Sequence, residues 1–168
     1  QAALGMWTVT LKLLPVVVMG HLLGGFLIFS CLAAMRGQLL EKVKTQLPCL
    51  KKYVFMGMVL AFIQIALGGW VSSNYAGISC IGFPMCNGQW VPALNFHDAF
   101  DFFRQIGPNY QGGLLDIDAR MTIQWVHRLG ALIVLAYWGV LISVMFIKVK
   151  NVSIRGILVI LTILMICQ

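Results

Sequence analysis

Charged residues are scarce in this sequence. Asp, Glu, Lys and Arg together make up 10% of the chain, whereas hydrophobic residues make up 60%. An average soluble domain carries roughly 25% charged residues. This composition excludes a water-soluble fold and places the chain among membrane proteins.

Acidic residues are the scarcer of the two charge types. The chain has 5 acidic and 12 basic residues, a formal net charge of +7. A basic excess can indicate nucleic-acid binding, but here the basic residues form neither a groove nor a basic helix face. They lie in short loops between apolar stretches, which is how topology is encoded in a bilayer. We therefore expect a lipid bilayer and no nucleic acid as partner.

Long uncharged runs define the architecture. Apolar stretches cover about residues 13–35, 53–73 and 121–147, and a fourth begins near residue 156. A spanning helix needs about 20 apolar residues, so the first three can cross a membrane. The fourth is expected to be a helix truncated at residue 168, and the chain to be part of a longer protein. The predicted fold is an all-α polytopic transmembrane helix bundle.

The loops predict the orientation. Two short segments, 36–52 and 148–155, are basic, whereas the long loop from about 74 to 120 contains four Asp and two Arg. The positive-inside rule places the two basic loops in the cytoplasm and the long loop on the outer, periplasmic side of the inner membrane. Four Trp fall near the predicted outer boundary, as in an interfacial aromatic belt: Trp7, Trp70, Trp90 and Trp125.

Two histidines lie inside the apolar helices. His21 and His127 each sit about six residues from the outer helix end, roughly 9 Å deep at about 1.5 Å rise per residue. Intramembrane ionisable residues are rare and usually face the bundle interior. An imidazole there can ligate heme iron, relay protons or hydrogen-bond across helices. Arg128, next to His127, is expected to contact either a heme propionate or the outer headgroups.

The surroundings of the two histidines are similar. Both follow the pattern H-x-L-G-small, with Gly24 and Gly25 after His21 and with Gly130 and Ala131 after His127. Small residues at i+3 and i+4 share the face of the histidine and would leave room for a flat macrocycle. The alternative is that they permit close helix packing, with the histidines joining helices. Two histidines at equal depth in one pattern favour ligation.

A second pair of similar segments indicates an internal repeat. Leu4-Gly5-Met6-Trp7 corresponds to Leu67-Gly68-Gly69-Trp70, each at an outward helix end. Weak self-similarity of this kind is typical of membrane proteins built from two related halves.

Cysteines divide by location. Cys80 and Cys86 lie six residues apart in the outer loop, with Gly82 and Pro84 between them favouring a turn. Thiols oxidise outside the cytoplasm, so a disulfide is expected, with its structural or redox role left open. Cys31, Cys49 and Cys167 are expected to be free thiols.

Three stretches, in order, resemble the heme A synthase family. The first is Gly5-Met6-Trp7-Thr8-Val9-Thr10 followed by His21-Leu-Leu-Gly-Gly25. The second is Gly68-Gly69-Trp70-Val71 followed by Cys80-Ile-Gly-Phe-Pro-Met-Cys86-Asn87-Gly88. The third is Gln124-Trp125-Val126-His127-Arg128.

The resemblance implies a larger protein and a role for each histidine. Such proteins have eight helices in two four-helix halves, with residues 1–35 closing the first half and 53–168 belonging to the second. They oxidise the C8 methyl of heme O to the formyl group of heme A for terminal oxidase biogenesis. His21 would be a catalytic axial ligand of the substrate heme, and His127 an axial ligand of the heme b cofactor. Each partner ligand would lie outside this sequence.

The resemblance also implies partners, and alternatives stay open. Heme O synthase, terminal oxidase assembly and a second copy of the protein are the further partners expected. A membrane di-heme carrier that only passes electrons is one alternative. A thiol–disulfide exchanger using Cys80 and Cys86 is another, and a transporter built from repeats is a weaker one.

Overall fold

The structure is a computed structural model, and it describes residues 1–39, 50–102 and 115–167, with the side chains of 38 and 39 left aside. Within these ranges it is helical and contains no strand. The helices are α1 (Ala2–Thr10), α2 (Pro15–Leu39), α3 (Lys51–Ser73), α4 (Phe96–Ala99), α5 (Ile117–Lys148) and α6 (Val152–Cys167). Cys49, most of the 36–52 loop and residues 103–114 of the outer loop lie outside the described residues.

The three predicted spanning helices are present. Segments Pro15–Gly37, Lys51–Ser73 and Ile117–Lys148 are long and apolar enough to cross a membrane, and α6 is a shorter apolar helix. Pro15 is the first residue of α2, where its missing N–H leaves no helical hydrogen bond unmade. The all-α, polytopic fold predicted from composition is therefore confirmed.

Two helices begin earlier than the apolar stretches indicate. The α5 helix extends four residues beyond the predicted start at 121, and its first turn carries Asp118, which favours a helix N-terminus. The α6 helix begins at Val152, because the Asn151 side chain accepts hydrogen bonds from the backbone N–H groups of Ser153 and Ile154. A polar capping residue therefore sets the start of α6, and an acidic first turn favours the start of α5, and a hydropathy pattern registers neither.

Neighbouring helices pack through glycines. A Cβ on Gly57 of α3 would come within 2.8 Å of the Trp138 ring of α5, and the Trp138 indole N–H donates to the Gly57 carbonyl at 3.2 Å. A Cβ on Gly69, near the other end of α3, would lie 2.6 Å from the Leu22 side chain of α2. Small residues of this kind let membrane helices approach closely. The helix α1 packs on α2 in turn, and α6 on α5.

The buried core lies where α3 and α5 meet the outer loop. Trp70 is 4% exposed, and its indole N–H donates to the Ala99 carbonyl of α4 at 2.8 Å. The other buried members of this cluster are Val71, Ala76, Ala99, Leu115, Ala119 and Ile123. The prediction that Trp70 belongs to an interfacial belt is therefore wrong, because its polar atom is satisfied inside the protein. Trp7 and Trp90 are exposed.

Candidate functional site

His127 lies in the contact between α5 and α3. The Gln64 side-chain Nε2 is 3.0 Å from His127 Nδ1 and also donates to the His127 carbonyl at 3.0 Å. The ring covers Gly68, where an added Cβ would lie 3.2 Å from His127 Cε1. A glycine on the facing helix therefore makes room for the imidazole, and a glutamine one turn away holds it.

Gly130, three residues after His127, makes room for the Gln64 side chain. A Cβ on Gly130 would overlap Gln64 Oε1, so the groove beside Gly130 is filled by the amide. The expectation that this groove leaves room for a flat macrocycle is wrong at this position. Gln64 is 6% exposed, and its Oε1 is buried with no hydrogen-bond partner among the described residues.

His21 occupies a matching place between α2 and α1. A Cβ on Gly5 would lie 3.1 Å from His21 Cε1, and Gln1 Nε2 donates to the His21 carbonyl at 2.9 Å. A Cβ on Gly24 would overlap the Gln1 amide, so here too a glutamine side chain fills the groove beside the glycine. His21 is more exposed than His127.

The two sites are versions of one arrangement. Gln1, Gly5, His21 and Gly24 correspond in order to Gln64, Gly68, His127 and Gly130. The sequence carries the signal as Q-x-A-L-G-x-W, present at residues 1–7 and again at 64–70. Sequence reasoning found only the L-G-x-W part and therefore missed both glutamines. Each histidine lies between its own helix pair, and within the described ranges no hydrogen bond joins the two imidazoles.

Arg128 binds the outer loop. Its guanidinium donates to the carbonyls of Cys80, Gly82 and Met85 at 2.7, 2.6 and 3.1 Å. These contacts tie the disulfide loop to the helix turn that carries His127. Contact of Arg128 with a heme propionate stays a prediction.

The predicted disulfide is present. Cys80 and Cys86 are bonded, with 4.6 Å between their Cα atoms, and both are buried. Gly82 has a φ of +87°, a backbone conformation that favours glycine. The Asn87 side chain accepts from the Ile81 N–H and donates to the Ser79 carbonyl, which orders the loop further. Cys31 and Cys167 are free, as predicted.

Comparison with known proteins gives the family. The sequence model of the family described as cytochrome oxidase assembly protein matches residues 1–168. The chain belongs to this family.

Members of the family with curated names are similar over most of the chain. A heme A synthase from Shewanella oneidensis is 44% identical over 137 residues, covering 79% of this chain and 42% of the relative. One from Chelativorans is 31% identical over 147 residues, covering 82% of the chain and 38% of the relative. One from a Wolbachia of Culex pipiens is 28% identical over 148 residues, covering 84% and 38%. The chain thus spans about two fifths of these relatives, and no solved structure matches it.

Both histidines keep a ring nitrogen that has no hydrogen-bond partner among the described residues, as a heme ligand requires. His127 Nδ1 is held by Gln64, and no hydrogen-bond partner in the described ranges reaches Nε2. Ligating histidines commonly have one ring nitrogen held by the protein and the other directed at the metal. Neither ring nitrogen of His21 is hydrogen-bonded within the same ranges. His97, by contrast, is an exposed outer-loop residue whose Nδ1 is 3.2 Å from the Asp98 carboxylate.

Proposed function

We propose that the protein to which this chain belongs is a heme A synthase of the inner membrane. The reaction is oxidation of the C8 methyl of heme O to the formyl group of heme A, for terminal oxidase biogenesis. The observation that carries the proposal is the repeated histidine site, in a chain whose relatives are named heme A synthase. A repeated site suits an enzyme that holds two hemes, one as substrate and one as cofactor.

The residues have separate roles in this proposal. His127 would hold heme b, and His21 would hold heme O, each through its imidazole. Heme supplies the oxidising chemistry, whereas the protein supplies ligands and orientation. Gly5 and Gly68 leave space for the two imidazoles, which the apolar helices place inside the bilayer. The Cys80–Cys86 loop, tied down by Arg128, lies over the helix end that carries His127.

The orientation is part of the proposal. The loop with the disulfide lies on the periplasmic side, where thiols oxidise, and the basic segments 36–52 and 148–155 lie in the cytoplasm. Burial of both cysteines restricts the access that thiol–disulfide exchange needs, which argues for a structural bond.

Heme extraction from cells tests the activity. Cells that lack the full-length protein but retain heme O synthase should accumulate heme O and contain no heme A. Reintroducing the natural protein should restore heme A. If heme A persists in the deleted cells while the purified protein still binds heme, the protein is an electron carrier instead. If a Cys80→Ser/Cys86→Ser variant binds heme normally but has no activity, thiol exchange becomes the better explanation.

A further inference from the structure

Among the described residues, Gln64 is the one buried side chain whose amide reaches the imidazole of His127. It lies on α3, is 6% exposed, and has Nε2 3.0 Å from His127 Nδ1. We propose that Gln64 is a positioning residue that fixes the His127 ring and selects which ring nitrogen faces the heme. This inference rests on the proposed function, in which His127 ligates heme b.

The hydrogen bonds define the starting arrangement. The His127 carbonyl can only accept, so Gln64 Nε2 donates to it at 3.0 Å. The same nitrogen then offers its second N–H to Nδ1, which accepts and leaves the ring proton on Nε2. One amide therefore holds both the backbone and the ring of the histidine.

Ligation requires the other arrangement. When Nε2 binds iron, a neutral imidazole carries its proton on Nδ1, and the facing group has to be an acceptor. Gln64 contains that acceptor, because Oε1 is buried and has no hydrogen-bond partner among the described residues. A half turn of the amide brings Oε1 to the Nδ1 proton. The half turn gives up the hydrogen bond from Nε2 to the His127 carbonyl, which keeps its helical hydrogen bond within α5, and it carries Nε2 to the position that Oε1 leaves.

The space for this amide is built by glycine. A Cβ on Gly130 would overlap Gln64 Oε1, so no other residue type at 130 leaves the amide where it is. A buried oxygen without a hydrogen-bond partner costs free energy. A side chain that only filled space would not need such a polar atom. Pairing of Oε1 with the Nδ1 proton in the heme-bound state gives this oxygen a partner that it lacks among the described residues.

The imidazole of His21, the equivalent histidine, makes no such hydrogen bond. Gln1 donates to the His21 backbone carbonyl, and its amide makes no hydrogen bond to the imidazole.

The test uses the natural full-length protein in detergent, with its heme b reduction potential and the g values of ferric heme as readouts. Gln64→Glu keeps the side-chain shape and gives Nδ1–H a stronger acceptor, which increases electron donation by the ring and should lower the potential. Gln64→Leu removes the acceptor and should raise it, with heme held about 10- to 100-fold more weakly. A packing role would not move the potential in opposite directions.

Two further variants keep the test informative. Gly130→Ala displaces the amide without altering Gln64, so it should raise the heme b potential as Gln64→Leu does. This readout remains even if Gln64→Leu folds poorly. Gln89→Leu makes the same change on an exposed outer-loop side chain and should change nothing. The inference is overturned if the potential and g values of Gln64→Glu and Gly130→Ala equal those of the parent.

The failure of the proposed function has a different signature. If His127→Ala leaves heme content and spectrum unchanged, His127 is not a ligand and both proposals fall. If His127→Ala removes the heme b signal while the Gln64 variants behave like the parent, only the positioning role of Gln64 is wrong.

Discussion

A histidine inside an apolar helix has several uses, and its contacts distinguish them. The Gln64 amide links α3 to His127 of α5 through Nδ1, and His127 Nε2 has no protein partner within the described ranges. A ring nitrogen left unbound in this way is available to a metal once Nδ1 carries the ring proton.

Gly68 gives a prediction for the ring itself. Gly68→Val adds side-chain atoms where a Cβ alone would lie 3.2 Å from His127 Cε1. Overpacking typically costs about 1–3 kcal/mol, and here it displaces the imidazole from its position. We expect heme b content to fall in the purified full-length protein. Gly139→Val is the control, because a Cβ there meets nothing within 4 Å. Equal heme content in the two variants would contradict the placement of the ring.

Arg128 gives a prediction that separates its two roles. Arg128→Ala removes three hydrogen bonds to loop carbonyls. A hydrogen bond from a charged donor contributes up to about 3 kcal/mol. We expect dithiothreitol to reduce the Cys80–Cys86 bond faster in this variant, as measured by maleimide labelling. Arg128→Lys should be intermediate, because lysine keeps the charge but lacks the several N–H donors of the guanidinium. Unchanged reduction together with lower heme content would favour a propionate contact instead.

At the scale of helices, apolar length was sufficient to predict the spanning elements. The three long helices lie where uncharged runs lie, because a bilayer helix has to satisfy its backbone internally. The start of α6 depends on the Asn151 cap, and the short α4 is held by the Asn95 cap and by the hydrogen bond from Trp70 to the Ala99 carbonyl. Neither leaves a hydropathy signal. The two glutamines were readable from the repeated Q-x-A-L-G-x-W, but only the geometry gives them a role.

The packing of α3 on α5 gives a prediction for stability. Gly57→Ala places a Cβ 2.8 Å from the Trp138 ring and disturbs the bond from the indole N–H to the Gly57 carbonyl. We expect a loss of about 1–3 kcal/mol in unfolding free energy, seen as a lower thermal midpoint in detergent. Gly139→Ala on α5 should show no loss. A midpoint unchanged by Gly57→Ala would mean that this contact is loose.

At the scale of the whole molecule, the described chain contains two helix pairs with equivalent sites. The α1–α2 pair carries His21 and the α3–α5 pair carries His127, as expected for a protein made of related halves. Most large apolar side chains of α2 and α6 are exposed, which suits helices that face lipid or other helices. The internal symmetry connects the sequence repeat to the proposed function, which needs two similar sites.

The proposed orientation can be measured by cysteine labelling. In full-length protein lacking Cys31, Cys49 and Cys167, Gln89→Cys should react with a membrane-impermeant maleimide in intact spheroplasts. Ser153→Cys should react only after the membrane is opened, because the positive-inside rule places its loop in the cytoplasm. The reverse pattern would invert the topology and place the disulfide in a reducing compartment.

The most direct test of the central claim is the heme absorption spectrum of the purified full-length protein. We predict a bis-imidazole heme b spectrum that is lost in His127→Ala and retained in His97→Ala, whose histidine is an exposed loop residue paired with Asp98. A parent protein without such a spectrum, or a His127→Ala variant that keeps it, would contradict the assignment of His127 as a heme ligand.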